Sequence, residues 1–127
     1  MSKPGVRVVP REPSDLEKDQ TTSGIARFQA FSTEDRWVGY VTTVPGVMSG
    51  WHHHGDTETY AYIIKGSLTL EFGAGGEQRV SAGPGDFVTV PAGAIHREGT
   101  EAGEPGEAVV VRIGGGPALF NVDGPES

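Results

Sequence analysis

Residues 46–58 read Gly-Val-Met-Ser-Gly-Trp-His-His-His-Gly-Asp-Thr-Glu and contain three of the four histidines of the chain in one unbroken run. In an extended strand, successive side chains point to opposite faces, so His52 and His54 share one face and His53 points to the other. Two neutral imidazoles on one face provide half of a metal site made of nitrogen and oxygen ligands. Read alone, the run is equally compatible with a metal-binding strand and with a solvated loop, a tag remnant or an adventitious metal binder.

A second stretch, residues 85–96, reads Gly-Asp-Phe-Val-Thr-Val-Pro-Ala-Gly-Ala-Ile-His and ends in the fourth histidine. It contains a turn, an alternating strand and a Pro-containing turn before His96. A carboxylate and a further imidazole are common completions of a two-histidine site. Glu58 and His96 are the candidates for these two places.

Short apolar runs separated by glycine and proline predict an all-β chain, and no segment has a helical stripe. Two junctions, residues 65–67 and 73–76, have the composition of hairpin turns and predict antiparallel neighbours. Such a pattern is typical of a sandwich or a small barrel, of which the jelly roll is one form. The predicted strands are Ile25–Phe31, Arg36–Val44, Thr59–Ile64, Ser67–Phe72, Glu77–Val80, Phe87–Val90 and Glu107–Ile113.

The length of 127 residues predicts a single domain. Residues 1–23 are polar and, apart from a short Val6–Val9 patch, without periodicity, so we expect an irregular N-terminal arm. The barrel is expected over residues 24–122, followed by a short tail over residues 123–127.

Composition excludes several classes of function. A net charge of −7 and an isoelectric point near 5.0 disfavour binding to nucleic acids and to anionic membranes. The chain has no cysteine, so any metal is held by nitrogen and oxygen. It contains no nucleophile elbow, phosphate-binding loop or dinucleotide fingerprint. No segment resembles a signal peptide or reaches membrane-spanning length, so we expect a cytoplasmic protein.

Together, the two histidine-containing stretches resemble the paired motifs of the cupin superfamily, G-x5-H-x-H-x3,4-E-x6-G and G-x5-P-x-G-x2-H-x3-N. The resemblance covers roughly residues 38–113 and implies a single-domain jelly-roll β-barrel with one divalent metal ion. The matching positions are Gly46, His52, His54 and Glu58 in the first motif, and Gly85, Pro91, Gly93 and His96 in the second.

Two departures from these motifs concern the fourth metal ligand and the end of the second motif. Seven residues instead of six separate Glu58 from Gly66, and Thr100 stands where the second motif usually ends in Asn. Counting back from Gly66 places Thr59 at the carboxylate position, and the two counts agree only if a β-bulge intervenes. The metal is therefore held either by the three histidines and Glu58, which we expect, or by the histidines alone with Glu58 nearby.

Two further residues are candidates for catalysis. Glu98 lies two residues after His96, so in a strand it points to the same side and is placed to transfer protons in the cavity. Its alternative place is the barrel mouth, solvated or paired with Arg97 or Arg112. Tyr62 shares its parity with Glu58 and offers a hydroxyl donor to the pocket, although ordinary packing is the commoner role for such a ring.

The resemblance also implies a function. Similar cupins bind Fe, Mn, Ni, Co, Cu or Zn, and we favour Fe(II) in a dioxygenase or other oxidoreductase that acts on a small organic substrate. The alternatives are a non-redox isomerase, epimerase or lyase, in which the metal polarises a carbonyl, and a non-enzymatic sensor or storage module for a small ligand or metal. The resemblance to small cupins further implies a homodimer, with the arm or an outer sheet at the interface.

Overall fold

A computed structural model describes residues 5–9, 17–18, 24–101, 103–117 and 119–127, with the backbone alone at 17–18. Within these ranges every regular element is a strand, so the predicted all-β class is confirmed. The strands are β1 (Glu17–Lys18), β2 (Ile25–Thr33), β3 (Arg36–Thr43), β4 (His52–His53), β5 (Glu58–Lys65), β6 (Leu68–Phe72), β7 (Gln78–Ala82), β8 (Phe87–Val90), β9 (His96–Gly99), β10 (Gly106–Ile113) and β11 (Phe120–Asn121).

The strands form two antiparallel sheets in a jelly-roll arrangement. One sheet has six strands in the order β1-β2-β3-β10-β5-β8, and the other has five in the order β11-β4-β9-β6-β7. The chain crosses repeatedly between the sheets, so strands that are distant in sequence become neighbours. This topology places β4 beside β9 and thereby brings together the two histidine-containing stretches.

The core lies between the two sheets because the strands alternate apolar and exposed positions. In β10, Ala108 and Val110 are buried, whereas Val109 between them is 38% exposed. The core cluster joins residues of the six-stranded sheet to β6 of the other sheet, and burial of these side chains holds the sheets together. Its buried members are Trp37, Ile63, Leu68, Leu70, Val90, Ala108 and Val110.

Each of the seven predicted runs overlaps one strand, and the structure adds the short strands β1, β4, β9 and β11. The hairpin predicted at residues 73–76 is confirmed, because β6 pairs antiparallel with β7. The hairpin predicted at residues 65–67 is wrong, because β5 and β6 belong to different sheets. Gly66, at φ 72°, turns the chain across the core instead of back along the same sheet.

Much of the expected N-terminal arm lies outside the described residues. Of its described parts, the backbone at 17–18 forms β1 and pairs with β2, and Arg7 places its guanidinium carbon 5.2 Å from the ring centroid of Phe31. At the other end, the Glu126 carbonyl accepts a hydrogen bond from the Gly75 amide at 2.6 Å. Both terminal segments thus contact the sheets.

No helix in the described part of the chain is long and apolar enough to cross a membrane.

Candidate metal site

Two neighbouring strands of the five-stranded sheet position four candidate metal ligands, which we call the ligand cluster: His52, His54, His96 and Glu98. His52 in β4 lies opposite His96 in β9, with ring centroids 4.4 Å apart. The His54 ring lies 5.2 Å from that of His52 and 5.1 Å from that of His96. The candidate ligand atoms all lie within 4.8 Å of one another, so they surround one point.

Backbone carbonyls orient two of the imidazoles. The Nδ1 of His52 donates to the Gly50 carbonyl at 2.9 Å, and the Nδ1 of His96 donates to the Ala94 carbonyl at 2.9 Å. A proton held on Nδ1 leaves the Nε2 lone pair available as a metal ligand. Among the described residues, both Nε2 atoms are buried without a hydrogen-bond partner, as a metal-binding nitrogen requires.

Glu98 completes the ligand cluster from the same face of β9. Its Oε1 lies 3.3 Å from Nε2 of His52 and 3.6 Å from Nε2 of His96, and its side chain is 16% exposed. The carboxylate therefore shares one small space with the two imidazole nitrogens.

The electrostatics of the ligand cluster favour an ionised carboxylate. Burial acts to raise the pKa of Glu98, but the imidazoles of His52 and His96 outweigh it and hold that pKa well below its usual value. Burial acts to lower the pKa of His96, but the Glu98 carboxylate and the Ala94 carbonyl outweigh it, so that this pKa is raised. An anionic oxygen beside buried imidazoles is an environment that stabilises a cation.

A cavity of about 50 Å³ opens beside the ligand cluster, with His54, His96 and Glu98 in its wall. Apolar side chains of both sheets, including Ile63 and Leu70, form much of the rest of the wall. The cavity holds a few water-sized atoms. The ligand cluster can thus present a bound ion to a small molecule inside the fold.

The structure does not bring Glu58 to the ligand cluster, which corrects the expected fourth ligand. Glu58 is exposed at the start of β5, where its carboxylate accepts a hydrogen bond from the Tyr60 hydroxyl at 2.6 Å. The physical reason is strand alternation: Thr57 and Thr59 are buried at 2% and 7% exposure, so the residue between them faces outward. Glu98 occupies the place in the ligand cluster that Glu58 was expected to fill.

The same alternation takes Tyr62 out of the cavity. Tyr62 and Glu58 do point to the same side of β5, but that side faces solvent, and Tyr62 is 40% exposed there. Its ring contacts Phe87 of β8 at a centroid distance of 4.9 Å. The structure therefore gives Tyr62 no contact with the ligand cluster.

The extra residue between Glu58 and Gly66 corresponds to a β-bulge in the structure. A one-residue register shift separates the pair Glu107–Lys65 from the pair Ala108–Ile63, so Ile64 is the extra residue of a bulge in β5. Thr59, at the position obtained by counting back from Gly66, faces inward and lines the cavity. The inward position on β5 is thus a threonine, and the carboxylate comes from β9.

The structure also shows the positions of three other residues that the sequence analysis singled out. His53 faces away from the ligand cluster and stacks on Phe120, with ring centroids 4.9 Å apart. Thr100, which replaces the usual Asn, is buried and donates to the Ser67 carbonyl at 2.8 Å. Arg97 does not pair with Glu98: its Nη2 lies 2.6 Å from Oε1 of Glu71.

A buried cation of the cavity wall is not among the site residues predicted from the sequence. Arg27 is 2% exposed and lines the cavity from β2. Its position could have been inferred from strand alternation, because Arg27 lies two residues after the buried Ile25 and therefore on the inward face of β2.

Comparisons with solved structures show the same fold. The polyketide cyclase RemF from Streptomyces resistomycificus superposes with a TM-score of 0.74 at 19% identity, over 93% of this chain and 86% of the cyclase. An uncharacterized conserved protein with a double-stranded beta-helix domain from Klebsiella pneumoniae gives 0.67 at 19% identity, over 83% and 84% of the two chains. The oxalate decarboxylase of Lactobacillus farciminis gives 0.69 at 18% identity; the match covers 86% of this chain but only 34% of the decarboxylase.

At these identities the likeness establishes the fold alone. A search of curated proteins found no match. The family model described as Cupin domain matches residues 39–112, which is more than half of the chain and includes all four residues of the ligand cluster. The chain therefore belongs to the cupin family.

Proposed function

We propose that this cupin is a metal-dependent enzyme that acts on a small organic substrate in the cavity. The ion is held by His52, His54, His96 and Glu98. The proposal rests on the Nε2 atoms of His52 and His96. Both atoms are buried, neither has a hydrogen-bond partner among the described residues, and both lie within 3.6 Å of the Glu98 carboxylate. Buried polar atoms are costly unless a partner satisfies them, and a cation satisfies both nitrogens and the carboxylate together.

The donor set fits several divalent first-row metals, since imidazole and carboxylate bind Fe, Mn, Co, Ni, Cu and Zn. We propose Fe(II) and a dioxygenase reaction as the leading assignment. A bound divalent ion supplies Lewis acidity and, as Fe(II), electrons for the activation of O₂.

The chain's own residues define what reaches the ligand cluster. The Gly50 and Ala94 carbonyls hold the His52 and His96 rings in one orientation, so little rearrangement is needed when the ion binds. The apolar cavity wall excludes bulk water and favours a substrate with a small apolar body. Glu98 faces both the imidazoles and the cavity. Because its carboxylate holds the ion and its pKa lies well below the usual value, we propose that it acts as a ligand and not as the proton carrier expected from the sequence.

Oxygen uptake tests the leading assignment. Tag-free protein loaded with Fe(II) is mixed with a panel of small enolisable and phenolic compounds, and dissolved O₂ is followed with an electrode. We expect at least one compound to cause uptake that is absent in protein loaded with Zn(II) and in Glu98→Gln. Turnover of the panel that proceeds without O₂ would contradict the dioxygenase assignment.

A second candidate is non-redox chemistry with the same ion acting as a Lewis acid. What favours it is the naming of two structural neighbours as a polyketide cyclase and an oxalate decarboxylase, neither of which is described as an oxygenase. Turnover under anaerobic conditions with Zn(II) or Mn(II) would favour this candidate. Metal binding with no turnover under either condition would favour the storage or sensor alternative.

We also propose that the protein is a homodimer that pairs through the outer face of the six-stranded sheet. Phe87 is 82% exposed, Tyr62 40% and Val109 38%, and Tyr62 lies between the other two, opposite Phe87 of β8 on one side and Val109 of β10 on the other. Contiguous exposed apolar surface of this kind typically marks a protein–protein contact.

A further inference from the structure

Thr59 brings a buried hydroxyl to the cavity wall. It lies on the inward face of β5, opposite Arg112 of β10 on one side and Val90 of β8 on the other. Thr59 is 7% exposed and lines the cavity together with His96 and Glu98. Its Oγ1 atom is buried and has no hydrogen-bond partner among the described residues. Burial of a hydroxyl without a partner costs free energy, so a group that satisfies this oxygen is to be sought in the cavity.

The surroundings of Thr59 on its own strand are apolar. Ala61 and Ile63, the next two inward residues of β5, also line the cavity, and their side chains carry neither a donor nor an acceptor. Another threonine of the cavity wall is satisfied within the protein, since the hydroxyl of Thr43 bonds to that of Thr100. Thr59 thus places an unsatisfied hydroxyl in an otherwise apolar stretch of wall.

An unpartnered hydroxyl does not by itself mark a binding site, and Thr57 shows why. Thr57 is 2% exposed, and its Oγ1 atom is likewise buried without a hydrogen-bond partner in the part of the chain that the structure describes. Thr57 is not among the residues that line the cavity, whereas Thr59 is. The two threonines therefore match in chemistry and burial, and they differ in their access to a molecule bound beside the ligand cluster.

The size and the chemistry of the cavity limit what can satisfy Thr59. A volume of about 50 Å³ admits a few non-hydrogen atoms, and Ile63 and Leu70 offer them an apolar wall. A threonine hydroxyl can donate its hydrogen to a carbonyl oxygen. Because Glu98 supplies the carboxylate of the ligand cluster, the Thr59 hydroxyl is not needed to hold the ion. It remains for a molecule in the cavity.

We propose that Thr59 is a substrate-binding residue whose hydroxyl donates a hydrogen bond to the carbonyl oxygen of a small, otherwise apolar molecule. This inference rests on the proposed function and names its substrate class, a carbonyl compound with a body of a few carbon atoms. The hydrogen bond satisfies the Oγ1 atom and fixes one end of the molecule, while the cavity wall holds the rest of it beside the ligand cluster.

Binding of propanone and of xenon tests the proposal, because both probes are small and only propanone has an oxygen acceptor. The affinity of metal-free and of Zn(II)-loaded protein for each probe is measured by NMR. In Thr59→Val, which replaces the hydroxyl by a methyl group, we expect the propanone affinity to fall about fivefold or more in both forms, as loss of a hydrogen bond implies. The xenon affinity should change less than about twofold, because the cavity keeps its shape. Thr59→Ser keeps the hydroxyl and should retain most of the propanone affinity.

The matched control is Thr57→Val, which removes a buried, unpartnered hydroxyl that does not line the cavity. Its affinities for both probes should stay within about twofold of wild type. Three results would overturn the proposal: no binding of propanone to wild type, propanone binding in Thr59→Val equal to that of wild type, or an equal loss in Thr57→Val.

The stability of the metal-free variants provides a second readout. Because the Thr59 hydroxyl has no partner among the described residues, its removal breaks no hydrogen bond with them. We therefore expect the urea midpoint of Thr59→Val to equal or exceed that of wild type. A lower midpoint would show that the hydroxyl is bonded within the protein, and this result would also overturn the proposal.

The metal content of the same samples separates this inference from the proposed function. Bound Zn(II) together with equal propanone affinities in wild type and Thr59→Val would overturn the role of Thr59 and leave the metal site standing. Propanone binding that appears only after Zn(II) loading and survives in Thr59→Val would assign the carbonyl oxygen to the ion and likewise overturn the role of Thr59. Failure of wild type to bind Zn(II) would overturn the proposed function, and the metal-free titration would still decide the role of Thr59.

Discussion

At His52 and His96 the backbone determines which ring nitrogen is available. Each ring donates through Nδ1 to the carbonyl of the residue two positions earlier, Gly50 or Ala94, at 2.9 Å. The same local hydrogen bond thus recurs in two segments that are distant in sequence. Because both Nε2 atoms point at one carboxylate, the ligand cluster combines neutral nitrogen donors with one negative oxygen, which suits a divalent ion.

Exchange of Glu98 for Gln should weaken metal binding, because the substitution removes the negative charge of the ligand cluster. We expect the affinity for Zn(II), measured by competition with a chromogenic chelator, to fall at least about tenfold. Glu58→Gln is the matched control, since Glu58 is exposed and bonded to Tyr60, and its affinity should equal that of wild type. A loss of Zn(II) affinity in Glu58→Gln and not in Glu98→Gln would mean that Glu58 is the ligand.

Glu58 should instead control the ionisation of Tyr60. The hydrogen bond to Glu58 and the negative charge of its carboxylate raise the pKa of Tyr60 above its usual value. In Glu58→Gln we expect that pKa to fall toward the ordinary value, measured as the difference between the tyrosinate absorbance titrations of variant and wild type. Identical titration curves would show that the contact does not persist in solution.

The residue-scale predictions succeed where a strand is continuous. The spacing of two brings His52 and His54 to one side, as expected from the sequence, and the same rule brings Glu98 to the side of His96. Glu58 lies beyond the turn at Gly55, whose φ of 61° breaks the strand, so alternation cannot be counted across it. The direction of Glu58 depends on how β5 pairs with β10, which is a tertiary property.

Among the elements, the corner between β5 and β6 shows how one residue selects a topology. Gly66 has a φ of 72°, and a Cβ atom added there would lie 2.6 Å from the Pro105 carbonyl oxygen. The chain crosses here from one sheet to the other, past the start of β10. A glycine followed by a polar residue is equally typical of a hairpin, and so the sequence alone does not distinguish the two outcomes.

Alanine substitutions at Gly66 and at Gly85, which lies between β7 and β8, should separate the cost of backbone strain from the cost of a steric clash. Gly85→Ala places a side chain at a φ of 91° in open space, and we expect a loss of about 1–2 kcal/mol in the free energy of unfolding. Gly66→Ala adds the clash with Pro105, and we expect a loss larger by about 1–3 kcal/mol. Urea denaturation measures both, and equal losses would contradict the close approach.

The longer strands could be predicted and the shortest could not. Phe87–Val90 has the same bounds in prediction and structure because four β-forming residues lie between turn residues. By contrast, β4 and β11 have two residues each. They pair with each other, Phe120 opposite His53, and β4 also pairs with β9. Such strands are defined by their partners, which a run of sequence does not contain.

For the whole molecule, the two faces of the six-stranded sheet have different roles. The inner face closes the core and the cavity, whereas the outer face exposes Phe87, Ile113 and Tyr62 to solvent. The chain carries −7, so association through a charged surface would be opposed by repulsion between copies. Apolar contact through this outer face avoids that opposition and is the basis of the proposed homodimer.

Charged substitutions on this outer face should dissociate the dimer. We expect light scattering to give the mass of two chains for wild type and of one chain for Phe87→Glu, because burial of a carboxylate in an apolar contact is unfavourable. Val80→Glu is the control: Val80 is 50% exposed, but it lies in β7 of the other sheet. A wild type that stays monomeric, or a Val80→Glu variant that dissociates equally, would contradict the proposed interface.

The central claim is that the ligand cluster binds one metal ion. Elemental analysis of tag-free protein after Zn(II) loading and gel filtration tests it directly, with His96→Ala beside wild type and with folding checked by circular dichroism. We expect about one Zn(II) per chain in wild type and much less in folded His96→Ala, which lacks a ligand of the buried site. Equal metal content in the two proteins would contradict the account.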